Sequence, residues 1–187
     1  IELRLVASHL HYMDLFGKTY HNFVKEFKIE RRAHLKILKD NSSSMIKKLS
    51  DELNFFSKIL HLRKPDIVLV LGDRFEMLAP VIASIPNNVP VVHIFGGAVT
   101  IGAIDELIRH SITKMSHLHL TAHKSYSDRI KKMGEEEWRV KTIGMPDLKT
   151  LKNQKKLSIK NLSKMVNLNF RHKTLLVTLH PTSREKI

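Results

Sequence analysis

Four short stretches of this chain carry side chains able to hold an anion or move a proton, and each lies at the end of an apolar run. Gly72-Asp73-Arg74 follows residues 66–71, and His93 with Gly96-Gly97 closes residues 89–94. Gly144-Met145-Pro146 follows residues 140–143, and His180 follows residues 174–179. In the first stretch, Gly72 lets backbone approach a ligand, and the start of the helix behind it favours an anion. Arg74 can fork onto a phosphate or carboxylate, and Asp73 can act as acid, base or hydroxyl acceptor. The plain alternative is that Asp73 caps the next helix. Gly96-Gly97 is a flexible turn that can admit a phosphate, or simply a sharp turn. Asp105, Glu106, Arg109 and His110 fall on one predicted helix. Asp105 and Arg109 are four apart and share a face, and Glu106 and His110 share the neighbouring one. Carboxylate, guanidinium and imidazole beside a strand edge suit a polar substrate and proton transfer. The alternative is an exposed ion pair worth about 0.3–0.5 kcal/mol.

Metal chemistry has less support. His117, His119 and His123 include an HxH pair that a strand would place on one face, but no third ligand is evident and His119 lies in an apolar stretch. No metal site is expected. There is no Walker loop, GxSxG or HExxH, and Met77, Met115 and Met133 read as core filling.

The elements that must position these residues alternate strand and helix. Residues 3–8 read as a strand and 9–20 as a loop, while 21–40 fit no single period. Asn41 and Ser42 to Ser44 signal a helix start, and Met45, Leu49, Leu53, Phe56, Ile59 and Leu60 recur at helical spacing until Pro65. Strands are then expected at 66–71, 89–94, 118–121, 140–143 and 174–179, with helices at 75–85, 103–115 and 124–133 and one or two basic helices after Pro146. Continuous apolar runs suit parallel strands buried on both faces. The pattern predicts an α/β fold, a Rossmann-like parallel sheet with helices on both faces. Right-handed crossovers then line up the strand ends along one edge, where such folds bind ligands.

Composition limits the function classes. The chain has 187 residues, no Cys and 42% hydrophobic content, so it is neither a disulfide scaffold nor a disordered chain. No apolar run is long enough to span a bilayer, and no leader pattern opens the chain, so neither membrane insertion nor secretion is expected. The net charge of +14 is lopsided: residues 141–187 hold 11 Lys/Arg against two acids, whereas 66–120 hold three basic residues against five acids. The stretch 149–164 has no aromatic residue and no nucleic-acid-binding motif is present, so a solvated basic helix face is the reading and no nucleic-acid partner is expected.

Together the motifs carry a specific likeness. PDIVLVLGDRFEMLAPVIAS (65–84), VPVVHIFGGAVTIGAIDELIRHSITKMSHLHL (89–120), the late HPT (180–182) and the weaker FGKT (16–19) resemble the hydrolysing UDP-N-acetylglucosamine 2-epimerases of sialic and legionaminic acid synthesis. The resemblance spans the whole chain. It implies the N-terminal half of a GT-B fold, in which two Rossmann-like domains hold a nucleotide-sugar in their cleft. Residues 1–170 would be the first domain, lacking the strand and loop that normally precede Ile1, and 171–187 the start of the second. The chain would thus be a truncated piece. The resemblance further implies a UDP-sugar substrate, no cofactor, cytoplasmic location and a homo-oligomer of the kind relatives often form.

In that family UDP leaves by elimination to a 2-acetamidoglucal, and water adds with inversion at C2. Carried over, Asp73, Asp105 and His93 become the catalytic candidates. Arg74, Gly96, Gly97, Glu106, Arg109, His110 and His180 become the substrate-binding ones. Two positions depart from the family. Relatives carry HIEGGE or HIHGGE where this chain has Phe95 and Ala98, neither of which transfers protons. Loss of one proton carrier typically costs on the order of 10²–10⁴ in rate. Two readings follow: a 2-epimerase whose piece alone is inactive, or a non-catalytic nucleotide-sugar-binding or interaction protein.

Overall fold

The computed structural model describes residues 1–7, 11, 14, 17–22, 28–31, 42–170 and 172–179. Phe16, Asn41, His180, Pro181 and Thr182, all singled out in the sequence, lie outside the described residues. Strand β1 (Arg4–Ala7) pairs in parallel with β2 (Lys28–Arg31), Leu5 opposite Ile29. Nothing in the sequence pattern announced β2: Lys28-Ile29-Glu30-Arg31 holds a single apolar residue, too little for a period-2 signal. Helix α1 (Ser42–Arg63) begins inside the serine run and turns Leu49, Leu53, Phe56 and Leu60 to one side. That side packs on Ala79 and Ala83 of α2 (Leu78–Ser84), whose small side chains let the two helices approach closely.

A four-stranded, all-parallel sheet follows, in the order β3 (Val68–Leu71), β4 (Val91–Ile94), β5 (Leu118–Thr121), β6 (Val140–Thr142). The register sets Val70 beside His93, His93 beside His119, and His119 beside Val140. Successive strands are joined through α2, α3 (Ile104–Met115) and α4 (Lys124–Lys132). Each step moves one strand in the same direction, so right-handed crossovers bring all three helices to one face. The contacts agree. Val81 of α2 and Ile108 and Ile112 of α3 pack with Val70 and Val91, and Ser127 of α4 bonds Thr121 at 2.6 Å. This is the expected α/β, Rossmann-like parallel sheet; of the helices expected on both faces, the three that join β3 to β6 lie on one.

Two expectations on strands are corrected. β4 is buried on both faces, but β3 is not: Val70 is buried under α2 and α3, while Leu69 and Leu71, alternating to the opposite face, are 52% and 58% exposed. Residues 174–179 form no strand; Leu175, Leu176, Val177 and Leu179 stand exposed, since among the described residues no strand pairs with them. The helix expected at 75–85 starts as a 3-10 turn, Phe75–Met77. This places Pro80 in the first turn of α2, where a missing N–H costs nothing. Beyond β6 come α5 (Pro146–Asn153) and α6 (Ile159–Val166), the second capped by Ser158. Among the described residues no helix is long and apolar enough to cross a membrane.

Candidate functional site

The carboxyl ends of β3 and β4 and the start of α3 meet at one place. β3 leaves the sheet at Gly72, whose φ of +78° is the left-handed region a glycine adopts without penalty. The turn aims Asp73 at α3, where Arg109 donates through Nε at 2.9 Å and through a second, shorter contact from its terminal nitrogen. Both donors reach Oδ2, so Arg109 leaves Oδ1 unengaged. Arg109 is 4% exposed, so this is a buried guanidinium with a half-buried partner. Asp73 caps neither the 3-10 turn nor α2. Arg109 pairs with a residue 36 positions away rather than with Asp105 four positions back, and the exposed-pair alternative for this helix falls with that.

Arg109 also ties down the loop after β4. It donates to the Ala98 carbonyl at 2.9 Å and to Thr100 Oγ1 at 3.0 Å. Glu106 Oε2 accepts from the Thr100 N–H at 2.7 Å, and Arg129 of α4 donates to the Gly97 carbonyl. Glu106 and His110 therefore work on the flank, His110 lying 3.9 Å from Glu106. Burial lowers the His110 pKa, with Glu106 opposing, so the two are not a strong ion pair. Gly97 packs so tightly on α4 that a Cβ there would stand 2.5 Å from the Tyr126 carbonyl.

Above this base sit Asp105 and Arg74. Asp105, in the first turn of α3, is half-buried and, among the described residues, its side chain makes no hydrogen bond or ion pair. Arg74 forks onto buried Glu76 at 3.1 and 3.2 Å, its own side chain 60% exposed. Its pKa is raised above the usual value by the Glu76 hydrogen bond, with Asp105 and Asp73 adding to the field. Phe95 takes φ +67°, a left-handed conformation rare for a bulky residue and costing on the order of 1–3 kcal/mol. His93 lies beneath, wholly buried, its Nε2 2.8 Å from the Gly72 carbonyl and its Nδ1 3.1 Å from Thr113 Oγ1. Desolvation lowers its pKa to about 4, so it is neutral at physiological pH.

The structure thus brings together Asp73, Arg74, His93, Gly96, Gly97, Asp105 and Arg109, with Glu106 and His110 on the flank. His180 lies outside the described residues. Thr113, Thr100 and Arg129 were missed by sequence reasoning. Thr113 was within reach of it, four residues beyond Arg109 and so one turn along the same face. The three histidines considered as ligands have separate duties. His117 Nδ1 accepts from the Val91 N–H, His119 meets Glu135 at 3.3 Å, and His123 caps α4.

A family model described as UDP-N-acetylglucosamine 2-epimerase matches residues 1–186. A GDP/UDP-N,N'-diacetylbacillosamine 2-epimerase (hydrolyzing) from Campylobacter jejuni is 39% identical over 97% of this chain and 47% of its own length. A UDP-N,N'-diacetylbacillosamine 2-epimerase (hydrolyzing) from Legionella pneumophila is 33% identical over 99% of this chain and 49% of its own. The chain thus spans about half the length of these curated relatives. Among solved structures, UDP-GlcNAc 2-epimerase from Neisseria meningitidis bound to UDP-GlcNAc superposes with a TM-score of 0.61 at 22% identity, covering 88% of this chain and 45% of that one. Likenesses of this kind identify the fold as a Rossmann-like half of a GT-B architecture.

Proposed function

Since the chain belongs to the UDP-N-acetylglucosamine 2-epimerase family, we propose that its site serves a hydrolysing UDP-sugar 2-epimerase, releasing UDP and an N-acetylmannosamine-type sugar by elimination and hydration. One observation carries this: at a single strand edge, a carboxylate fixed by a buried guanidinium stands near a carboxylate without a hydrogen bond and an exposed guanidinium. Elimination needs a base for the C2 proton and stabilisation of the leaving pyrophosphate, and hydration needs an acid/base pair. Asp105 has its oxygens available for proton transfer. Asp73 keeps Oδ1 to accept from a sugar hydroxyl or amide. Arg74 is the anion partner, exchanging Glu76 for the pyrophosphate, and the Gly96-Gly97 turn, packed closely on His93, Thr113 and α4, offers its backbone to the substrate. His180 is assigned to the nucleotide.

The same reading makes 1–170 one Rossmann-like domain and 171–187 the beginning of a second. It places the protein in the cytoplasm, in sialic or legionaminic acid synthesis, and in a homo-oligomer. It also predicts negligible turnover by the 187-residue chain alone, because the chain spans about half the length of its relatives. Two relatives carry UDP-N,N'-diacetylbacillosamine in their names, so that sugar and UDP-N-acetylglucosamine are the substrates to assay. In a chain extended to the relatives' length, Asp105→Asn should lower UDP release on the order of 10²–10⁴. Failure of the unsubstituted extended chain to release UDP from either sugar overturns the catalytic reading.

Phe95 and Ala98 favour a second reading, a nucleotide-sugar-binding protein without turnover. Phe95 is held at a strained backbone angle yet offers no ionisable group there. Calorimetric titration with UDP separates the two: heat of binding without UDP release from the sugar supports the second, and absence of binding removes it.

A further inference from the structure

Three segments of the site converge on one imidazole. His93 Nε2 lies 2.8 Å from the Gly72 carbonyl, and Nδ1 lies 3.1 Å from Thr113 Oγ1. A carbonyl only accepts, so Nε2 carries the proton and Nδ1 presents a lone pair. The Thr113 hydroxyl has one proton and two acceptors in reach, His93 Nδ1 and the Arg109 carbonyl at 3.0 Å. The Arg109 carbonyl, with two lone pairs, also accepts the helical Thr113 N–H, whereas Nδ1 of a neutral ring protonated on Nε2 has the Thr113 hydroxyl as its donor, so the hydroxyl proton turns to Nδ1. Gly96 closes the assembly from above. A Cβ there would stand 2.8 Å from His93 Nδ1 and 3.0 Å from Thr113 Oγ1.

The chain positions of these contacts give them a purpose. Gly72 immediately precedes Asp73, and Thr113 is one helical turn beyond Arg109. We propose that His93 and Thr113 are positioning residues: the imidazole, protonated on Nε2, spans from the Asp73 turn to the Arg109 helix and so sets the separation of the Asp73–Arg109 pair. His93, buried and with both ring nitrogens engaged, acts on substrate through that pair. The consequence for catalysis rests on the proposed reading of the site, but the span itself is a statement about the folded chain.

The test therefore uses the 187-residue chain without substrate. Nitrogen-15 NMR of the ring should show Nε2 protonated and Nδ1 unprotonated near neutral pH. Thr113→Val, which keeps shape and removes the hydroxyl, should speed hydrogen exchange of the Arg109 Nε–H by about tenfold. Thr113→Ser should restore it. An Nδ1-protonated ring in the unsubstituted chain overturns the proposal whatever any variant does. So does a Thr113→Val chain whose Arg109 Nε–H exchanges at the unsubstituted rate. Neither readout involves turnover, so a failed epimerase assay strikes the functional reading and not this one.

Discussion

Asp73 and Arg109 were legible as candidates because each sits where a strand or helix meets the ligand edge. Their pairing was not, because helix spacing offers Arg109 a nearer carboxylate in Asp105 and only tertiary packing chooses Asp73. His93 shows the same limit from the other side. Its place in a conspicuous motif marks it as chemical, but a residue alternating inward on a central strand is hidden from substrate, and depth is not written in spacing. Burial gives it a measurable signature. The unfolded chain binds the His93 proton below pH 6.5, while the folded chain resists it until about pH 4. Its contribution is therefore complete above pH 6.5 and is lost as pH falls towards 4, on the order of 3 kcal/mol in all. Denaturant titrations across that window should show stability declining with acid. In His93→Gln, which has no titrating ring, the decline should be shallower by that amount.

At the scale of elements, the long helix α1 and strands β3 to β6 follow from periodicity and apolar runs, and the turns from glycine. What escaped was decided by neighbours. β2 is a strand because β1 lies alongside it, not because of its own residues. Residues 174–179 have strand composition and no partner, so composition alone does not make a ladder. The loop after β4 depends on close approach to α4 at Gly97, where φ is +82° and the Tyr126 carbonyl leaves no room for a methyl group. Gly97→Ala should cost about 2–4 kcal/mol, from left-handed strain and overpacking together. Thermal unfolding of the variant beside Gly134→Ala checks the packing part, since Gly134 shares a positive φ but a methyl group there would meet nothing within 4 Å. Equal losses in the two would mean that backbone angle alone is responsible.

For the whole molecule, order should be graded across the sheet. β4 and β5 have strands on both sides, and β4 carries buried Val91, Val92 and His93. Their amides should exchange slowest, those of β3 and β6 faster, and those of 174–179 near the rate of unstructured chain. Hydrogen-exchange mass spectrometry resolves the three classes, and protection of 174–179 comparable to β4 would contradict the architecture. The charge has a similarly uneven meaning. The basic excess lies in residues 141–187, whereas residues 66–120, which hold Asp73 and Arg109, carry five acids against three basic residues, so net charge is a poor guide to the ligand. One side chain links these scales. Arg109 both neutralises Asp73 and fastens the Ala98–Thr100 loop. In evolutionary terms this makes the site's charge and its wall a single heritable unit: replacing Arg109 alone strands a carboxylate and loosens a loop at once.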